Sequence, residues 1–319
     1  MGNRNLRLAQ KNKRDEFYTK MSDIEEELIN YSDYGEHFEG KVVYLNCDNP
    51  SFSNFWTYFY ERFNTLGLKL LISTFYEDND ISYKTTYDGI NVNKTKLKGN
   101  GDFRSPECID ILIESDIVVT NPPFSLFREY LDLMVSEDKD FLVIANTNAI
   151  TYKDVFFLLR NGKIWLGNNN GSKSFYTPNL EDNSKSSEDY LLKFVNVSWF
   201  TNLDFDKRHK PLLLDKEFNP DIYPKYDNYD VIEVSRVANI PKDYYGVMGV
   251  PITYLHNHNP DQFEILGIAC GWAWSNDRDL LEALGFNPNI HPGGGLGIAV
   301  LNGKSKYARV LIRRKNGKI

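Results

Sequence analysis

Short apolar runs alternate with helically spaced stretches through the first two-thirds of this chain, and that alternation narrows the folds open to it. KVVYLNC (41–47) has the character of a β-strand, and FWTYFYERFNTLG (55–67) follows with helical spacing and a glycine stop. KLLISTF (69–75), IVVTNPPF (117–124) and FLVIANT (141–147) are further β-type runs, separated by the helical ECIDILIESD (107–116) and SLFREYLDLMV (125–135). Strand-sized runs joined through helices predict βαβ units and a mostly parallel sheet, an α/β fold. In such sheets ligands sit at the carboxyl ends of the strands. That rule places Asn46, Cys47 and Asp48 on one rim with Asn121, Pro122, Pro123 and Phe124.

Beyond about residue 160 the pattern changes. KIWLGN, KSFYTP and KFVNVSWFTNL read as strands with little helix between them, and NLEDNSKSSED (179–189) reads as an exposed loop. Past Asp204 the chain is irregular and proline-rich, and GIAVLNGKSKYARVLIRRK reads as a hairpin turning at Asn302-Gly303. The expected division is a domain over 1–203 and a second region over 204–319.

Charge is segregated along the chain. Residues 1–14 hold five basic residues and 286–319 hold seven, with no acid in either stretch. The remaining 25 basic residues are set against all 44 acids in the middle. An acidic body with basic ends is compatible with a polyanionic partner, because local potential rather than net charge attracts phosphate. Lys304, Lys306, Arg309, Arg313, Arg314 and Lys315 are the expected phosphate contacts. With 41% hydrophobic and 14% aromatic residues the chain can bury a sizeable core, which excludes disorder as its main state. Three cysteines without CxxC spacing argue against a disulfide framework or zinc ribbon and suit a reducing cytoplasm. No apolar run approaches the ~20 residues that span a bilayer, and the N-terminus lacks a secretory h-region. A cytoplasmic monomer without a metal is expected.

The residues richest in chemistry are Asn121-Pro122-Pro123-Phe124, directly after an apolar strand. An exocyclic amine on adenine is a poor nucleophile because its lone pair is delocalised into the ring. Two acceptors gripping its N–H bonds can draw the nitrogen towards tetrahedral geometry. The Asn121 side-chain carbonyl and the Pro122 backbone carbonyl suit that task. Prolines bring no competing N–H and stiffen the loop, and Phe124 offers a face for a base.

This motif resembles that of amino-group methyltransferases that use S-adenosylmethionine. Asp15-Glu16-Phe17-Tyr18-Thr19 is similar to the N-terminal cofactor motif of adenine-specific DNA methyltransferases. KVVYLNCDNPSFSNFW, SWFTNLD (198–204) and NGKSKYARVLIRRK (302–315) resemble segments of the EcoRI-type subfamily, in the same order along the chain. The resemblance implies a Rossmann-like sheet that binds S-adenosylmethionine, a C-terminal target-recognition region, and methylation of adenine N6 in double-stranded DNA, within restriction-modification or phage and host DNA protection. It implies Asn121, Pro122, Pro123 and Phe124 as catalytic residues, with Phe175 beside the flipped base and Tyr176 second. It implies Phe17, Tyr18, Thr19, Asn46, Cys47, Asp48, Asp102, Phe103 and Asn121 at the cofactor. Two departures stand out. The loop after the first strand has no glycine, an oddity the EcoRI-type subfamily shares, and after the second strand Glu77 and Asp78 are weak candidates for the ribose.

Other patterns carry less. His256-Asn257-His258 has no third ligand beside it. Gly293–Gly297 precedes a strand rather than a helix, so it fails the phosphate-loop context. Asp221 with Glu233-Val234-Ser235 lacks the lysine of a nuclease site. Two rivals remain: an RNA or protein amino-group methyltransferase carrying the same motif, and a catalytically inactive DNA-binding relative.

Overall fold

The computed structural model describes residues 18–32, 37–78, 81–176, 191–272, 278–291, 293 and 295–315. Phe17, the basic run 1–14 and the loop 179–189 lie outside the described residues. The chain divides into two compact units, residues 1–149 with 164–205 and residues 150–163 with 206–319. Breaks fall after 149, 163 and 205, so that 150–163 counts with the second unit. There Trp272 donates its indole N–H to the Thr151 carbonyl (2.7 Å) and meets Phe156 at 6.2 Å, ties that no local pattern reveals.

The first unit contains strands β1 (Tyr18–Thr19), β2 (Val42–Leu45), β3 (Leu70–Ser73), β4 (Tyr83–Tyr87), β5 (Val92–Lys96), β6 (Ile117–Thr120), β7 (Asp140–Asn146), β8 (Trp165–Leu166), β9 (Gly171–Tyr176) and β10 (Leu191–Thr201). Its helices are α1 (Met21–Ser32), α2 (Asn54–Glu61), α3 (Pro106–Glu114) and α4 (Phe127–Ser136). The sheet order is β1-β9-β10-β7-β6-β2-β3-β4-β5, with β8 beside β10. Only its centre is parallel: β7-β6-β2-β3. The strands outside that centre pair antiparallel, so the expected mostly parallel sheet is a Rossmann-like parallel core with antiparallel flanks.

The composition of the core strands follows from their position. Every residue of β2 and β6 is buried, as strands covered on both faces must be. Val43, Leu45, Val119, Leu142, Ile144 and Trp199 pack with Ile24 and Leu28 of α1 and Phe55 and Phe59 of α2. Ser53 caps α2, accepting from the amides of Phe55 and Trp56, and Ser105 caps α3 with Pro106 in its first turn. No apolar run in the sequence announces strands over 83–96. The residues of β5 are all exposed, so that hairpin carries no apolar run to betray it.

The second unit contains α5 (Lys153–Arg160), β11 (Ile232–Glu233), β12 (Met248–Pro251), β13 (Phe263–Ala269), α6 (Arg278–Ala283), β14 (Val300–Leu301), β15 (Lys304–Ser305) and β16 (Arg309–Arg314). The expected hairpin does turn at Asn302-Gly303, both with positive φ (52° and 72°), as a two-residue hairpin loop requires. Its returning strand is only β15. The longer β16 instead lies between β12 and β13 in a four-stranded sheet.

Candidate active site

Strand β2 lies between β3 and β6, so the loops leaving the carboxyl ends of β2 and β6 diverge and open a crevice at the switch point. Asp48 sits in that crevice and is buried. One carboxylate oxygen accepts from Ser53 Oγ (2.6 Å) and the other from Thr120 Oγ1 (2.5 Å). Its amide donates to the Thr74 carbonyl (3.0 Å), and its own carbonyl accepts from Ser73 Oγ. One acid therefore ties together the ends of β2, β3 and β6 and the cap of α2. Burial pushes its carboxyl up to about 6, against the opposing effect of the two hydroxyls. Asn46 is buried too, and its side-chain carbonyl accepts from Tyr130 Oη of α4 (2.7 Å). Cys47 between them is half-buried.

Asn121 follows β6 directly and is buried. After the two prolines a 3-10 turn, Phe124–Leu126, leads into α4. Phe124 meets Phe175 of β9 edge-on, with centroids 6.1 Å apart and planes at 87°. Phe175 is fully buried and Phe124 is 9% exposed, so of the two rings Phe124 lies nearer the surface and Phe175 backs it. Opposite Phe175 in the ladder is Thr19 of β1. The Thr19 carbonyl accepts from Asn54 Nδ2 (2.7 Å), one residue past the Ser53 cap. Tyr18 lies 6.2 Å from Phe52. Phe17 falls outside the described residues.

Gly101-Asp102-Phe103 is brought to the end of β3 by the β4–β5 hairpin. The backbone N–H groups of Leu97 and Ser82 close that return, donating hydrogen bonds to the Ser82 and Gly99 carbonyls (2.9 and 3.0 Å). Gly101 has φ +79°, and a Cβ there would lie 2.0 Å from the Phe75 carbonyl oxygen, so only glycine permits the approach. Phe103 is buried edge-on to Tyr130 (5.1 Å), the residue that holds Asn46. Asp102 is gripped by Arg104, whose Nη2 and Nε donate at 2.7 and 3.0 Å while Nη1 reaches Glu129 at 2.9 Å. The guanidinium holds the Asp102 carboxyl below its ordinary range. Glu77 is half-buried and Asp78 exposed. The described cofactor candidates therefore come together by contact: Phe103 to Tyr130 to Asn46, and Thr19 to Asn54 to Ser53 to Asp48 to Thr120, the residue before Asn121. Sequence reasoning missed Ser53, Arg104, Thr120 and Tyr130: the last two act on Asp48 and Asn46, 72 and 84 residues away, while Ser53 and Arg104 act on the nearby Asp48 and Asp102 through bonds that carry no sequence pattern.

In the second unit the basic residues meet acids. Arg309 donates to Glu233 through Nε (3.1 Å) and Nη2 (3.0 Å), with Lys306 Nζ at 3.5 Å and Tyr226 Oη also donating to that carboxylate. Glu233 is only 5% exposed. Burial alone would raise its carboxyl, but Arg309 and Tyr226 prevail and hold it below the ordinary range. Arg313 pairs across strands with Glu264 (2.5 Å). Arg314 donates to the Lys242 carbonyl and lies 5.4 Å from the Tyr245 ring centre. Lys304 and Lys315 are exposed, and among the described residues neither ammonium is in an ion pair. His258 is half-buried beside Tyr254 Oη (3.0 Å), and desolvation pushes it down to about 4. Among the described residues no group of three or more His, Cys, Asp or Glu forms a metal site, and no helix is long and apolar enough to cross a membrane.

The family model described as adenine-specific methyltransferase EcoRI matches residues 5–315. The chain is 44% identical to the Type II methyltransferase M.EcoRI of Escherichia coli, over 98% of this chain and 97% of that relative. It is 37% identical to M.MgeORF184P of Mycoplasma genitalium, over 96% and 98% of the two chains. It is also 37% identical to M.MpnI of Mycoplasma pneumoniae, over 98% of each.

Proposed function

The chain belongs to the EcoRI family of adenine-specific methyltransferases, and on that premise we propose that it methylates N6 of a target adenine in duplex DNA at the carboxyl end of β6, with S-adenosylmethionine as donor. The observation that carries the assignment is the placement of Asn121-Pro122-Pro123-Phe124 at the switch point, with Phe124 braced by Phe175. The base cannot be reached inside the stack and must be extruded, at a cost of a few kcal/mol. Stacking on the Phe124 face returns about 1–3 kcal/mol. The Asn121 side-chain carbonyl and the Pro122 carbonyl accept the two N–H bonds of the amine and aim its lone pair. Both acceptors are neutral, so they orient the nitrogen and leave the displaced proton to water.

S-adenosylmethionine supplies an electrophilic methyl group on a sulfonium when bound. The crevice fits such a group: carboxylates and a carboxamide (Asp48, Asp102, Asn46) lie with a buried aromatic, Phe103, around one switch point. Asp102 is the acceptor suited to the adenine amine, since Arg104 keeps it ionised. Asp48, buried with both oxygens on protein hydroxyls, shapes the loop that carries Cys47, whereas Asp102, though bonded to Arg104 through both oxygens, is only half-buried. Tyr18 and Thr19 close the pocket from β1. Residues 206–319 with 150–163 are assigned to target recognition. Lys304 and Lys315 are the phosphate contacts of first choice, because the other four basic residues are engaged within the unit.

The test is Asn121→Ala in single-turnover methylation of duplex DNA, whose site is first read by methylation-sensitive sequencing in an expressing host. The rate should fall by about two orders of magnitude or more, with cofactor affinity little changed. A near-normal rate, or a preference for ribosomal RNA or protein over duplex DNA as methyl acceptor, would overturn the assignment.

A further inference from the structure

The chemistry above makes no use of Glu27, a fully buried carboxylate on α1. Its Oε1 accepts from the Asn168 amide (2.7 Å) and Tyr31 Oη (2.9 Å), and its Oε2 from the Asn169 amide (2.7 Å). These amides belong to the turn between β8 and β9, a Gly-Asn-Asn-Asn stretch without an apolar side chain to anchor it. The turn is fitted to the carboxylate. A Cβ on Gly167 would lie 2.2 Å from Glu27 Oε1 and 2.6 Å from the Trp199 Cβ. Asn169 Nδ2 adds a bond to the Glu26 carbonyl (2.5 Å).

The turn is the entry to β9, and there the β10 ladder is irregular, holding it by the Gly171–Val197 pair and the Gly167 amide on the Trp199 carbonyl (2.9 Å). Register between β9 and β10 shifts between Phe194 and Val197, where Lys173 pairs with Phe194 but Gly171 with Val197. Lys173 is itself buried, 5.9 Å from the Trp199 ring centre, and acts electrostatically on both Glu27 and Asp23 of α1. Two residues on, on the same face of β9, is Phe175, edge-on to Phe124.

We propose that Glu27 is a positioning residue for the target-adenine pocket: by gripping the Asn168 and Asn169 amides it sets where β9 begins, and so holds Phe175 against Phe124. This rests on the reading that Phe124 carries the flipped base. A carboxylate is needed because three donors converge on it. A glutamine would turn its own N–H against a backbone N–H. Protonation would do the same to one oxygen, and burial already pushes the Glu27 carboxyl up to about 7. The titratable and charged groups acting on it are Lys173 from β9 and Tyr31 from α1, and Lys173 is shared with Asp23. The β8–β9 turn presents only amides and asparagines.

The experiment compares Glu27→Gln, Glu27→Asp and Phe175→Ala with wild type, taking the methylation rate on the adenine duplex and the flipped-base emission on a second duplex with 2-aminopurine, which has no N6 amine to methylate, in place of the target adenine. Glu27→Gln should lower the single-turnover rate at saturating DNA and cofactor about tenfold or more. It should also weaken the flipped-base emission, with the dissociation constant for S-adenosylmethionine within about twofold. Glu27→Asp should recover part of the rate. The wild-type rate should decline as pH falls below about 7, and Glu27→Gln should lack that limb. Normal rate and emission in Glu27→Gln, with Phe175→Ala impaired, overturn the role of Glu27 and leave the pocket standing. A normal Phe175→Ala overturns the pocket reading instead. Should Glu27→Gln fail to fold, Glu27→Asp decides. A wild-type rate counts against the proposal, and a reduced rate with unchanged cofactor affinity supports it.

Discussion

Replacing Asp48 with Asn should make the first unit more stable at neutral pH and leave it almost unchanged in acid. The carboxyl is buried, and its folded value is raised to about 6, against about 3.9 in an unfolded chain. Between roughly pH 4 and 6 the folded protein therefore holds a proton that the unfolded chain has released, so stability falls as pH rises through that window. About two pH units at ~1.4 kcal/mol each give a loss of roughly 3 kcal/mol by pH 7. An asparagine carries no charge to desolvate. Its Oδ1 can accept from Ser53 Oγ and its Nδ2 can donate to Thr120 Oγ1 once that hydroxyl turns, which reproduces the pattern of the protonated acid. At pH 4 the two proteins should differ by no more than about 1 kcal/mol. At pH 8 the variant should lead by up to ~3 kcal/mol. Urea titrations read by amide exchange in β2 and β6, taken at each pH, measure the difference, and Glu27 cancels because both proteins have it. A difference that does not change with pH would mean that the carboxylate is not desolvated as the geometry requires.

Two further outcomes concern the second unit. Arg309→Ala should destabilise it by about 3–5 kcal/mol, the cost of leaving a buried carboxylate without its main partner. The deficit should be full above the usual carboxylate range and shrink as pH falls through the depressed Glu233 value, which urea unfolding at neutral and acid pH would report. Neutralising Lys304 and Lys315 together should weaken binding to all duplexes and flatten the salt dependence by up to about two units. Titrations at several salt concentrations read this, and an unchanged slope would place the DNA elsewhere.

The parallel core was legible because its cause is local. β2, β6 and β7 are unbroken apolar runs, and α2 and α4 have apolar residues at helical spacing, since each must bury one stripe. Asn121-Pro122-Pro123-Phe124 was legible because the chemistry needs those residue types in contiguous order. The β4–β5 hairpin was not, because an exposed strand carries no alternation of burial to read. Arg309 shows the limit most sharply. Counted along the chain it is one of seven uncompensated cations, yet in the fold it answers Glu233, 76 residues earlier. Glu27 is an ordinary helix acid in sequence, and its partners are backbone amides more than 140 residues away. By itself the sequence determined the core strands β2, β3, β6 and β7, the helices α2, α3 and α4 and the reactive loop, because burial periodicity and covalent order act over a few residues. Which charges face water and which acids hold the pocket was decided only by tertiary structure, because a carboxylate's partners are set by distance in space and by the water that packing removes.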